Sequence, residues 1–198
     1  MPEVVVPSVY FEKPGPQNTA RTLALAKQRA DELGIRTVVV ATTRGDTGVA
    51  AARLFRGYDL VVVTHSTGFG GPNTQELVAG NRATIEAEGA RILTCQHALG
   101  GVNRAVRRKL GPVQLDEIIA HTLRIFGQGL KVCVEITLMA ADAGLIHAGE
   151  LCIAIGGTGR GADTAVVLIP VNAQDFFDLR IAEMLAKPRL MELEGQRD

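Results

Sequence analysis

Three polar, glycine-rich stretches hold the side chains best suited to chemistry. The first, Thr42-Thr43-Arg44-Gly45-Asp46-Thr47-Gly48, follows the apolar run Val38-Val39-Val40-Ala41 and opens a helical stretch through Ala50-Ala51-Ala52. Unpaired N–H groups at a helix start, with threonine hydroxyls and an arginine beside them, make a phosphate cradle. Thr43, Gly45, Thr47 and Gly48 are expected to hold the phosphate and Arg44 or Arg160 to supply charge. Asp46 repels an anion, so it reads as a helix cap or as an acceptor for a sugar hydroxyl or ring N–H. The plain alternative is an ordinary strand-to-helix turn.

The second stretch, His65-Ser66-Thr67-Gly68-Phe69-Gly70-Gly71-Pro72-Asn73, also follows a strand-like run, Leu60 to Thr64. Ser66, Thr67 and Gly68 are its candidate ligand contacts. Phe69 among glycines offers an apolar wall to a planar ring, or else tucks into the core from a linker. In the third stretch, Gly157, Thr158, Gly159, Arg160 and Gly161 precede Ala162, so that Gly157-x-Gly159-x-x-Ala162 meets the dinucleotide-binding spacing. That motif must open a helix, whereas Thr164 to Pro170 reads as a strand, so a Rossmann assignment is rejected. A strand–loop–strand unit still brings backbone N–H groups and Arg160 to a ligand; otherwise it is a tight hairpin.

Other constellations are weaker. The four histidines show no metal-ligand spacing, and Cys95-x-His97 reads as a core cysteine beside a surface histidine. Glu135 and Asp142, seven residues apart near one helix face, read as partnered carboxylates rather than site acids. The run Arg104 to Lys109 reads as a solvated basic helix face.

The elements that must position these loops alternate. Short β-branched runs at Val38–Ala41 and Leu60–Thr64, with Ile92–Thr94, Leu151–Ile155 and Ala165–Ile169, suit strands buried on both faces. Helices are expected from Asn18 or Thr19 to Gly34, from Asp46 or Thr47 to Gly57, and from Asn73 or Thr74 to Gly89. Two more are expected over 113–126 and 130–143, the second despite the strand-like alternation of Leu130, Val132, Val134, Ile136 and Leu138. Strand–helix alternation predicts an α/β protein with a mainly parallel sheet. The 198 residues fit one domain, with 192–198 a frayed tail. Twenty-one basic residues balance 21 acidic ones, which argues against nucleic acid as a partner. No apolar run is long enough to span a membrane, and three cysteines without paired spacing fit a reducing, cytoplasmic setting.

The stretch Val39 to Gly48 and the unit Gly157 to Pro170 resemble the C-terminal α/β domain of pyruvate kinase, whose corresponding loops grip an allosteric sugar phosphate in some enzymes. Tyr10-Phe11-Glu12-Lys13-Pro14-Gly15, Gly129 to Thr137 and Arg160 to Ala165 extend the likeness to nearly the whole chain, which is similar to a stand-alone archaeal and bacterial family of such domains. The resemblance implies a three-layer α/β/α sandwich. It does not imply pyruvate kinase activity, which belongs to a separate (β/α)8 barrel. It is associated with flavin mononucleotide (FMN), with the ring against Phe69 or Tyr10 and Phe11. The expectation is therefore an FMN-binding protein, with flavin-dependent oxidoreduction as the activity such a cofactor would support. Its rivals are a non-enzymatic sensor of a sugar phosphate or nucleotide, and a purely structural subunit. Self-association into a homo-oligomer is compatible with each.

Overall fold

The computed structural model describes residues 3–189; the expected tail at 192–198 lies outside them. Strands β1 (Val9–Phe11), β2 (Thr37–Ala41), β3 (Asp59–Val63), β4 (Arg91–Leu93), β5 (Cys152–Gly156), β6 (Thr164–Ile169) and β7 (Arg180–Pro188) form one sheet in the order β1-β7-β6-β5-β2-β3-β4. Among these strands only β6 runs against the others: its pairings with β5 and β7 are antiparallel, and the remaining four are parallel.

Alternate residues of the central strands serve opposite faces. On one face Val38, Val40, Leu60 and Val62 meet Leu23, Ala26 and Ala30 of α1 (Thr19–Leu33), Phe55 beyond α2 (Asp46–Leu54), and Ile85 of α3 (Ala79–Ala87). On the other face Val39, Val61 and Val63 meet Ile136, Met139 and Ala140 of α6 (Gln128–Asp142), which follows α4 (Val102–Leu110) and α5 (Leu115–Arg124). These are the three layers that the family resemblance implies. Behind α6, Val134 and Leu138 pack on Leu123 of α5, on Val171 and on Phe176. Helix α6 is thus covered on nearly every side, which is why its sequence carries no amphipathic stripe. Each large side chain buried this way, such as Phe55, contributes about 1.5–3 kcal/mol.

Two findings differ from the sequence expectation. The third helix does not open at Asn73 or Thr74 but at Ala79, after an extended Val78. Asn73 sits at φ 57°, in the left-handed region, and Gly68 N–H donates to Thr74 O, so 66–78 closes as a compact loop instead. Strands β1 and β7 are additions to the expected set. β7 is irregularly paired to β6, with two register shifts, and its first residues are exposed, which erases the period-two pattern. It is tied to α1 by Arg29, whose guanidinium bonds the Glu183 carboxylate at 2.6 and 2.7 Å.

The cysteines follow from this packing. Cys133 and Cys152 are fully buried, and burial pushes the Cys152 thiol up to about 12 and that of Cys133 higher. Cys95 is partly exposed. A thiol reagent at neutral pH is expected to label at most Cys95 in the native protein and all three after unfolding, read by mass spectrometry. Rapid native labelling of Cys133 would contradict this packing.

Candidate functional site

Strand β2 lies between β3 and β5. Helices α2 and α3 carry the chain from β2 to β3 and β4 over one face, whereas α6 returns it to β5 over the other. The strand order therefore reverses at β2, and the crevice outside the carboxyl ends of β2 and β5 is where open α/β sheets bind ligands. A cavity of about 670 Å³ occupies that crevice.

One end of the cavity is built from helix starts. Pro16 and Thr19 at the start of α1, Asp46 and Thr47 at the start of α2, and Gln128 at the start of α6 all line it. Helix N-termini carry positive partial charge, so three of them on one rim favour an anion. At α2 the left-handed Gly45 forms the N-cap, and Thr42 Oγ1 accepts from the Gly45 and Gly48 amides at 3.1 and 3.3 Å. The amides of Asp46 and Thr47 take no protein acceptor among the described hydrogen bonds. Asp46 does not cap its own helix: its Oδ1 accepts from Asn81 Nδ2 at 3.3 Å, and Asn81 also donates to Arg44 O. Thr43, Arg44 and Arg160 complete this end, and neither arginine has a carboxylate partner among the described ion pairs.

The third loop is held shut from below. Asp163 is fully buried; its Oδ2 accepts from the amides of Gly15 and Thr158, both at 3.1 Å, and its Oδ1 from Thr164 Oγ1 at 2.9 Å. Thr19 Oγ1 accepts from the Ala162 amide at 2.9 Å. Gly161 lets the loop lie against α1, since a Cβ there would fall 2.4 Å from Pro16 Cα. Gly157, Gly159, Arg160 and Gly161 consequently face the cavity, and between them Thr158 Oγ1 is buried with no hydrogen-bond partner.

The chain segments that converge here run from α1 to β6, and a family profile described as the pyruvate kinase alpha/beta domain matches residues 20–168. The chain belongs to that family. The match begins at the second residue of α1 and ends within β6, so it spans the elements that build the cavity.

In this pyruvate kinase α/β domain the part of the cavity across β2 from the third loop is aromatic and titratable. His65 and His97 line it, and Phe69 stacks against both at its margin, with ring centroids 4.1 Å and 5.0 Å away. His65 Nδ1 lies 2.6 Å from Glu76 Oε2. His97 Nε2 accepts from the Ser66 amide at 3.4 Å and its Nδ1 faces Glu135 Oε2 at 3.6 Å. Glu135 is itself 4% exposed, bonded to the buried Lys131 ammonium and accepting from the Leu99 amide at 3.2 Å. Burial opposes the Glu135 charge, but His97 and Lys131 outweigh it and hold the carboxyl down to about 2. Burial pulls the Lys131 ammonium below its usual range. Val132, Ile136 and Met139 of α6 add an apolar wall to the cavity.

The structure brings together Thr43, Arg44, Asp46, Thr47, Gly157, Gly159, Arg160 and Gly161 from the sequence candidates. Ser66, Thr67, Gly68 and Phe69 sit beyond the lining. Gly48 faces inward instead, where a Cβ would lie 2.8 Å from Ile85 Cδ1 and 2.9 Å from Val62 Cγ1: it permits close helix–strand packing. Tyr10 and Phe11 lie on β1 at the sheet's edge, with Lys187 over the Tyr10 ring, and do not line the cavity. Sequence reading placed His97 on the surface; its side chain is 13% exposed. Cys95-x-His97 was the signal for it, hidden because the Glu135 partner is far away in sequence. Nothing local in sequence marked the α6 wall. Among the described residues no cluster of three metal-ligating side chains occurs, and no helix is long and apolar enough to cross a membrane.

Proposed function

We propose that this cavity binds a phosphorylated small molecule, with FMN the leading candidate. The observation that carries the reading is the meeting on one rim of three helix starts, the Asp46 and Thr47 amides and two arginine side chains, none of these amides or side chains partnered among the described hydrogen bonds and ion pairs. The residues present fit FMN: Thr43, Thr47, Arg44 and Arg160 would take the phosphate, Asp46 a sugar hydroxyl, and Val132, Ile136 and Met139 one face of the ring. When bound, a flavin supplies the electron and hydride chemistry itself, while the chain's residues orient it and limit access of water. A second reading has its own support. The aromatic side chains expected as ring platforms are elsewhere or already stacked, and a sugar phosphate needs none, so a non-enzymatic sensor of such a ligand is the alternative.

Titration of FMN fluorescence decides between them, alongside thermal shifts with FMN, a sugar bisphosphate and inorganic phosphate. FMN quenching at micromolar protein is expected, and the double variant R44A/R160A should raise the dissociation constant on the order of 10–100-fold. Stabilisation by the sugar phosphate with FMN inert would select the sensor. No response to any of the three would overturn both.

A further inference from the structure

We propose that His65, positioned by Glu76, is the acid–base group of this cavity, and that its ligand reacts by proton transfer at a group other than its phosphate. The inference rests on the phosphorylated-ligand reading above and adds a reaction to it. The carboxyl and imidazole side chains that line the cavity are Asp46, His65, His97 and Glu135. Three are engaged. Asp46 is held by Asn81, Glu135 by Lys131 and the Leu99 amide, and His97 by the Ser66 amide at Nε2 with Glu135 facing its Nδ1.

His65 differs. It lies two residues after β3, beyond Thr64, whose amide donates to Leu93 O at 2.9 Å, and Gln75 Nε2 further pins it by donating to His65 O at 3.1 Å. The Glu76 carboxylate takes the Nδ1 side at 2.6 Å, which fixes the tautomer with the proton on Nδ1. In the neutral ring Nε2 is then the nitrogen with the lone pair, and it has no partner among the described hydrogen bonds. The side chains of His65 and Glu76 are 30% and 31% exposed, so water and ligand reach them. A hydroxyl or acidic C–H of the ligand gives its proton to Nε2, and the bonding electron pair stays on the ligand. Glu76 balances the imidazolium charge, and the proton returns to the product. The other groups around the ring are Phe69, His97 with Glu135 behind it, and Arg104 over the far ring of Phe69.

The geometry assigns a substrate class: a small phosphorylated molecule with the phosphate at the helix starts and an ionisable hydroxyl or carbon acid at His65. Carbethoxylation by diethyl pyrocarbonate, mapped residue by residue in the intact protein, tests it. His65 should react on the order of tenfold faster than His97, which is 13% exposed and accepts from the Ser66 amide at Nε2. E76Q should slow His65 on the order of tenfold, leave His121 and His147 unchanged and keep the melting temperature. FMN, the larger ligand, should protect His65 more strongly than inorganic phosphate does. Equal rates at His65 and His97, or an E76Q rate equal to wild type, would overturn the dyad. FMN bound, as seen by quenching, with His65 unprotected would overturn its place at the ligand. FMN that fails to quench removes the FMN reading by itself, and the E76Q comparison still judges the dyad.

Discussion

Replacing Glu135 by leucine should lower the unfolding free energy by about 3–5 kcal/mol, the range for removing one partner of a buried ion pair. Three losses combine. The Lys131 ammonium, 5% exposed, keeps its burial cost without its counter-charge; the Leu99 amide loses its acceptor; and His97 loses the carboxylate that faces Nδ1. Urea denaturation of E135L measures the sum. The double variant K131M/E135L should recover most of it, because matched apolar groups at both positions leave no charge unpaired. If E135L alone were neutral, the pair would not be buried as described.

The same group fixes an acid limit. The Glu135 carboxyl is held at about 2 in the folded protein, below its ordinary 4.5. A depressed carboxyl contributes stability that is fully present above the unfolded value and is lost as pH falls through the folded one. The loss therefore belongs between about pH 4.5 and 2 and amounts to about 3 kcal/mol. It should be missing from K131M/E135L, whose stability should fall less over that window.

How much of this was legible in sequence depends on the range of the interactions. The β2–loop–α2 unit was readable because each of its determinants is local: a β-branched strand, a left-handed glycine at φ 104° and a helix start, all contiguous in the chain. Strand–loop–strand at β5 and β6 was readable for the same reason, and it correctly excluded a dinucleotide-binding turn. The parallel sheet followed from the alternation of elements. What stayed hidden is set by pairs distant in the chain. Glu135 meets residues 97 and 99, and Asp163 meets Gly15. Glycines that look alike in sequence have three different roles: Gly45 supplies a turn, Gly161 a close loop contact and Gly48 a helix packed on a strand. Phe69 read as a free platform because its stacking partner, His97, comes from a separate segment beyond β4.

Gly129→Ala should be among the most damaging single-methyl additions, costing about 3 kcal/mol, the upper part of the overpacking range. Gly129 lies in the first turn of α6, and a Cβ there would fall 2.0 Å from Thr164 Oγ1, 2.5 Å from Thr164 Cβ and 3.0 Å from Asp163 Oδ1. None of these can yield cheaply. Thr164 is β-branched and 1% exposed, and its hydroxyl donates to Asp163 Oδ1. Asp163 Oδ2 meanwhile holds the third loop and the turn at Gly15 together. Added volume must therefore move α6 off β6 or break the Asp163 network, and either displaces Arg160 and the α6 wall from the cavity. The variant should lose stability in urea denaturation and lose ligand affinity as well. Gly80→Ala is the matched control: it lies in the first turn of α3, has open space within 4 Å of the position a Cβ would take and has no left-handed backbone. There alanine restricts only the unfolded chain and should stabilise by about 0.5 kcal/mol. Opposite signs at two helical glycines would tie the effect to the contact between α6 and β6; a neutral G129A would mean that the helix does not sit that close to the strand.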